Sequence, residues 1–172
     1  MKLSDLHPEG TRETIGTVIF SAEDIVHFAE KFDPQPFHLD AELAKQSLFG
    51  GLCASGWHTC AGWMKCFVPY WLGETKRLAD EGITAPKLGP SPGFRDMRWL
   101  RPVFAGDTIT YSVTFVAAKD LESRPGWRIN TILCEGENQD GQPVIRFESK
   151  VIEFPRETCP SERDGIRDAG RR

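Results

Sequence analysis

Between Thr108 and Val116 the chain alternates strictly, with Ile109, Tyr111, Val113 and Phe115 on one side and Thr108, Thr110, Ser112 and Thr114 on the other. That period of two predicts a half-buried β-strand. The β-branched run 14–20 predicts another strand. Ser21 then offers an N-cap, with Asp24 three residues on, to a helix in which Ile25, Phe28, Ala29 and Phe32 form one apolar stripe. Asp33-Pro34 stops that helix, because a residue before proline avoids the helical region. Residues 33–40 then read as a loop stiffened by two prolines, and Asp40 as the cap of a short helix over 41–47.

The pattern changes after the Gly50-Gly51 turn. Over 57–68, Trp57, Cys60, Ala61, Met64, Phe67 and Val68 keep helical spacing, while Trp63 and Cys66 make the opposite face apolar as well. A helix apolar on nearly every face belongs in the middle of a fold, and Pro69 is expected to end or kink it. Residues 73–97, punctuated by glycines and prolines, read as a long irregular segment of the kind that forms lids. Strands are expected over 94–103, 127–137 and 144–154, the last two joined as a hairpin through Asn138-Gln139-Asp140-Gly141. These elements predict an α+β domain over 14–154, one long helix wrapped by a curled antiparallel sheet. A loose segment is expected over 1–13 and a frayed polar tail over 155–172. A single sheet leaves an edge and an apolar face uncovered, so a homodimer is expected.

Composition narrows the function. The 172 residues suit one domain with a real core, and the net charge of −4, without a long basic run, argues against nucleic acid as a partner. No apolar stretch is long enough to span a bilayer, and the first residues lack the apolar core of a secretory leader. The five cysteines are odd in number and show no C-x-x-C spacing, which points to free thiols and a cytoplasmic setting. The four histidines form no metal-ligand cluster.

Asp33 and His38 stand out as a carboxylate and an imidazole five residues apart, bracketed by prolines and followed by a glycine turn and an apolar helix. Such a pair can move protons. Gly56, at the start of the long helix, can present an N–H without a helical partner, aided by the positive end of the helix dipole, to a developing oxyanion. Ser55 reads as the cap of that helix rather than a nucleophile, since no G-x-S-x-G surrounds it. Trp57 is a candidate for a core or an acyl-pocket wall. His58 reads as a core histidine in preference to a second proton carrier. Arg95, Arg98 and Arg101 are candidate phosphate contacts, though a solvated strand face accounts for them equally well.

The stretch Asp33-Pro34-Gln35-Pro36-Phe37-His38-Leu39-Asp40, then Ala44, then Phe49-Gly50-Gly51-Leu52-Cys53-Ala54-Ser55-Gly56, resembles the MaoC-like, or (R)-specific enoyl-CoA hydratase, family. A second, weaker likeness lies in Arg101-Pro102-Val103-Phe104-Ala105-Gly106-Asp107-Thr108-Ile109. The resemblance implies the hot dog fold and a homodimer with its site near the interface. It implies that Asp33 and His38 activate water, with the acid and base roles unassigned, and that Gly56 supplies the oxyanion N–H. It implies a trans-2-enoyl-CoA or (R)-3-hydroxyacyl-CoA substrate, with Ser55, Trp57, Arg98 and Arg101 as candidate contacts, and no metal or redox cofactor. Two positions depart from the family pattern: Ser55 stands where many members have histidine, and Met64 where some carry serine. The long 73–97 segment also exceeds what a short-chain hydratase needs. The alternatives are a thioesterase on the same fold, in which water attacks the carbonyl carbon, and a non-catalytic acyl-CoA-binding subunit.

Overall fold

A computed structural model describes residues 1–155. Six strands form one antiparallel sheet in the order β1 (Arg12–Ile19), β4 (Thr108–Asp120), β5 (Arg128–Glu137), β6 (Pro143–Phe154), β2 (Lys87–Leu88), with β3 (Gly93–Trp99) also pairing to β6. The sheet curls around α5 (Gly56–Asp80), a helix of 25 residues. This is the hot dog fold. The alternation in β4 holds at Ile109, Tyr111 and Phe115, which are buried, and breaks at its middle, where Ser112 is buried and Val113 only partly covered.

Local chemistry explains the smaller elements. Helix α2 (Ala22–Phe32) starts at Ser21, whose Oγ accepts from the Asp24 N–H at 3.0 Å. Helix α4 (Ala41–Lys45) starts at Asp40, whose Oδ1 accepts from the N–H groups of Glu42 and Leu43 at 2.8 and 2.9 Å. The loop expected over 33–40 contains one helical turn, α3 (Pro36–Leu39), with Pro36 at its first position, where no N–H is needed.

Several expectations need correction. The segment expected to be loose over 1–13 contains α1 (Leu3–Leu6) and the first residues of β1. Leu3 enters the core, and its N–H donates to the buried Glu153 at 3.3 Å. Of the two effects expected at Pro69, an end or a kink, the end does not occur: helix α5 runs through it. A proline inside a helix costs about 3 kcal/mol, but Pro69 is exposed, while Trp63, Cys66 and Leu78 on either side of it are buried. Burial of three such side chains, at about 1.5–3 kcal/mol for each large one, exceeds the local penalty. The irregular segment expected over 73–97 is consequently helical as far as Asp80 and re-enters the sheet at β2 and β3. The strand expected over 94–103 ends at Trp99. Finally, α5 is not enclosed on every side: Trp57, Met64, Val68 and Leu72 form an exposed apolar stripe. The expected tail beyond Pro155, and Cys159 with it, lies outside the described residues.

Two hydrogen bonds fix the height of α5 over the sheet. Tyr111 Oη donates to the Thr59 carbonyl at 2.7 Å, and Trp63 Nε1 donates to the Ser112 carbonyl at 2.9 Å. The tyrosine reaches the helix backbone only because position 62 is glycine; a Cβ there would lie 2.5 Å from Tyr111 Oη. The start of α5, and with it the candidate site, is therefore referenced to β4.

Candidate active site

Asp33 closes α2, its N–H donating to the Ala29 carbonyl at 2.9 Å. Pro34 prevents continuation, and the chain turns so that His38, on α3, comes back beside it. His38 Nε2 lies 3.5 Å from Asp33 Oδ2. The opposite ring nitrogen, Nδ1, sits 2.7 Å from the Cys53 carbonyl oxygen. A carbonyl only accepts, so Nδ1 carries the hydrogen, and in the neutral ring Nε2 presents a lone pair toward the carboxylate. His38 is 5% exposed, with Phe37 packed edge-on against its ring.

The carboxylate has its own donors. Ser55 Oγ donates to Asp33 Oδ2 at 2.7 Å, and Gln35 Nε2 donates to Oδ1 at 2.8 Å. Burial pulls the Asp33 pKa up, but the hydrogen bonds from Ser55 and Gln35 and the charge of His38 outweigh it, leaving Asp33 below the ordinary carboxylate value. The neighbouring Cys53 thiol is pushed by burial up to about 11, which removes it as a nucleophile at neutral pH.

The Cys53 carbonyl is held in place from below. Cys53 and Phe104 form an antiparallel bridge, flanked by Ala54 N–H to the Val103 carbonyl at 2.7 Å and Ala105 N–H to the Leu52 carbonyl at 3.0 Å. Asp107 steadies that second segment, its Oδ2 accepting from the Phe104 N–H at 2.8 Å. The Pro-Val…Gly-Asp stretch thus braces the segment that orients His38 and starts α5.

Gly56 is the first residue of α5, and among the described residues its N–H has no protein acceptor. The Trp99 indole lies against its α-carbon: Nε1 donates to the Gly56 carbonyl at 2.8 Å, and a Cβ at position 56 would stand 2.6 Å from the ring. Asp33, His38, Gly56, Trp57, Trp99 and Arg101 line one open pocket of about 390 Å³.

The sequence candidates therefore divide. Asp33, His38, Gly56, Trp57 and Arg101 share the pocket, whereas Arg98 projects from β3 outside it. Ser55 is 1% exposed and does not line the pocket; its hydroxyl faces Asp33. His58 turns away, its ring stacked on Phe28 at 4.4 Å and edge-on to Phe20 at 4.8 Å, and burial lowers its pKa against the opposing pull of Asp24. Gln35, Trp99 and the Cys53 carbonyl were not singled out from sequence. Among the described residues no cluster of three or more His, Cys, Asp or Glu side chains could hold a metal ion, and no helix is long and apolar enough to cross a membrane.

Residues 5–136 match the family model described as the MaoC like domain. The chain belongs to the MaoC-like dehydratase family. Within reach of this family, a crystal structure of a MaoC-like dehydratase from Rhodospirillum rubrum is 35% identical, covers 92% of this chain and 99% of its own, and superposes with a TM-score of 0.74. The uncharacterized protein YdeM of Bacillus subtilis is 28% identical over 132 residues, which are 77% of this chain and 84% of that protein. An unliganded R-hydratase from Pseudomonas aeruginosa, at 20% identity, covering 86% of this MaoC-like chain and 82% of its own with a TM-score of 0.59, shares the fold.

Proposed function

We propose that this MaoC-like protein is a hydratase/dehydratase that interconverts a trans-2-enoyl-CoA and the corresponding (R)-3-hydroxyacyl-CoA, with Asp33, His38 and Gly56 as its catalytic groups. The observation that carries this reading is the approach of Asp33 Oδ2 to His38 Nε2, 3.5 Å, at the wall of a pocket that also holds the free N–H end of α5. An ionised carboxylate and an imidazole lone pair are both acceptors, so a water can donate one hydrogen to each. In hydration its oxygen bonds to C3, one proton passes to the pair, and a proton is delivered to C2. The pair ends as it began. The thioester oxygen, which gains charge as C3 is attacked, is placed against the Gly56 N–H; one such donor is typically worth about 3 kcal/mol.

Trp57 and Arg101 line the same pocket and suit an acyl thioester with a phosphorylated carrier; Arg98, outside it, suits only the distal phosphates. No bound metal or redox group takes part in this scheme. The exposed stripe Trp57, Met64, Val68 and Leu72 supports a homodimer in which a second copy covers α5 near the site. The four free cysteines among the described residues suit a reducing cytoplasm.

The test is a panel of enoyl-CoA thioesters of varied length and branching, followed by loss of the conjugated-thioester absorbance, with Asp33→Asn and His38→Ala as controls. Release of free thiol from saturated acyl-CoA, with no loss of the conjugated absorbance, would move the assignment to a thioesterase. Binding without turnover of any kind would make it a carrier subunit.

A further inference from the structure

We propose that Ser55 is a positioning residue for Asp33: its hydroxyl ties the carboxylate to the first turn of α5, so that the proton-transfer pair and the Gly56 N–H keep one fixed geometry. The inference rests on the function proposed above for that site, but its first readout does not depend on the reaction.

A serine hydroxyl has one hydrogen and two lone pairs. At Ser55 both kinds are in use. The lone pair accepts from the Trp57 N–H at 3.2 Å, which is the ordinary work of an N-cap. The hydrogen goes to Asp33 Oδ2 at 2.7 Å, across 22 positions of sequence. Capping alone needs no hydrogen, so an aspartate would serve a plain helix start as well. Here an aspartate would set a second anion against Asp33. This helix end therefore requires a cap that also donates.

The placement of the bond adds to this. Cys53 offers its carbonyl to His38 Nδ1 at 2.7 Å, Ser55 its hydroxyl to Asp33, and Gly56 its N–H to the pocket. Four consecutive residues, 53–56, thus orient the imidazole, the carboxylate and the oxyanion donor. That segment is itself braced on Val103, Phe104 and Ala105. Ser55 is 1% exposed, so no solvent competes for its hydroxyl. The titratable groups around the carboxylate are few. His38 from α3 lowers its pKa, the Cys53 thiol stays neutral, and Arg101 is the other charged side chain on the pocket wall. The Ser55 hydrogen bond stands first among the influences that hold Asp33 down.

The experiment follows the Asp33 side-chain carboxyl by carbon-13 NMR titration in the full chain, for wild type, Ser55→Ala, Ser55→Gly and Ser55→Thr, with melting curves and, in parallel, pH profiles of kcat and kcat/KM on an enoyl-CoA. Glycine is a tolerated N-cap and alanine is not, so the two hydroxyl-free variants separate capping from positioning. The expected result is an upward move of the Asp33 midpoint in both, a matching upward move of the acid limb of the rate profile, and a fall in kcat of about tenfold, the loss of one hydrogen bond to a charged group. KM stays within about twofold, and threonine, which keeps the hydroxyl, returns the midpoint and kcat toward wild type. An Asp33 midpoint unmoved in both hydroxyl-free variants, whatever happens to the melting temperature, reduces Ser55 to a helix cap and overturns the proposal. So does a midpoint that threonine moves as far as alanine does. A midpoint that moves as expected in a protein that hydrates no enoyl-CoA leaves the positioning intact and sinks the proposed reaction instead.

Discussion

The same substitution on the same helix should have opposite signs at two positions. Gly62 and Gly73 both lie inside α5. At an exposed helical position glycine to alanine stabilises by about 1 kcal/mol, chiefly by reducing the freedom of the unfolded backbone. Gly73 is exposed, and a Cβ built there meets nothing within 4 Å, so Gly73→Ala should realise that gain. A Cβ at Gly62 would stand 2.5 Å from Tyr111 Oη, 3.1 Å from Cζ and 3.2 Å from Cε2. Tyr111 is fully buried and cannot swing into solvent. Overpacking of this kind costs about 1–3 kcal/mol. If the ring shifts, its hydroxyl leaves the Thr59 carbonyl, and an unpaired buried hydroxyl costs about a further 1–3 kcal/mol. Set against the propensity gain, Gly62→Ala should destabilise by about 1–5 kcal/mol. For a domain of this size that lowers the melting temperature by about 3–15 °C, while Gly73→Ala raises it by about 2–4 °C. Chemical denaturation of both variants with an unchanged m-value is the check. A second comparison locates the cause: Tyr111→Phe removes the hydroxyl oxygen that would be struck, so Gly62→Ala should cost less in that background than in wild type. If Gly62→Ala stabilises the protein as Gly73→Ala does, the claim that Tyr111 sets the height of the helix is refuted.

Asp33→Asn and His38→Ala should each lower kcat at least about a hundredfold on the true substrate while the melting temperature moves little, measured by initial rates and calorimetry; near-normal turnover in either variant removes that residue from the proposed chemistry. The lowered His58 pKa means that the unfolded chain binds a proton more readily there, so stability contributed by neutral His58 is intact above its unfolded value of 6.5 and is lost as pH falls from there toward the folded value. His58→Leu, which keeps an apolar contact with Phe28, should flatten the decline in melting temperature over that window. Val68→Glu, in the middle of the exposed stripe of α5, should convert a dimer to monomer in light scattering at micromolar concentration; an unchanged mass places any dimer contact elsewhere.

What the linear sequence revealed and concealed follows from how each feature is encoded. The strand β4 was legible because its two faces differ at most positions: Ile109, Tyr111 and Phe115 are buried and Thr108, Thr110 and Thr114 only half covered, with buried Ser112 and half-covered Val113 the exceptions. Ser21 and Asp40 were legible as caps because capping is settled within three residues. Pro69 misled because a local rule was weighed against packing that is not local. The 73–97 segment misled for the same reason, with Leu78, 1% exposed, drawing another two turns into the helix. The N-terminal segment looked polar, yet Leu3 enters the core and hydrogen bonds from distant positions hold the segment down: Leu3 N–H to Glu153, Arg128 to Ser4, and Gly10 N–H to the Phe115 carbonyl.

The site divides along the same line. Asp33 and His38 could be found because a carboxylate and an imidazole are chemically distinctive wherever they occur. The group that orients the His38 ring is a backbone carbonyl, which every residue possesses, so nothing in the letters marks Cys53 for that task. Ser55 was legible as a cap and silent about its second bond, because the hydrogen of a hydroxyl shows its use only when the acceptor, 22 positions upstream, is brought alongside. The Arg101-to-Ile109 stretch carries no reactive group in contact with the pair, yet Asp107 holds Phe104, Phe104 bridges Cys53, and Cys53 orients His38. Its likeness to the family thus has a mechanical reading: it is the brace under 53–56. A change in this brace should disturb the proposed proton transfer without touching a reacting atom, since the distance from Asp33 to His38 depends on where the 53–56 segment lies.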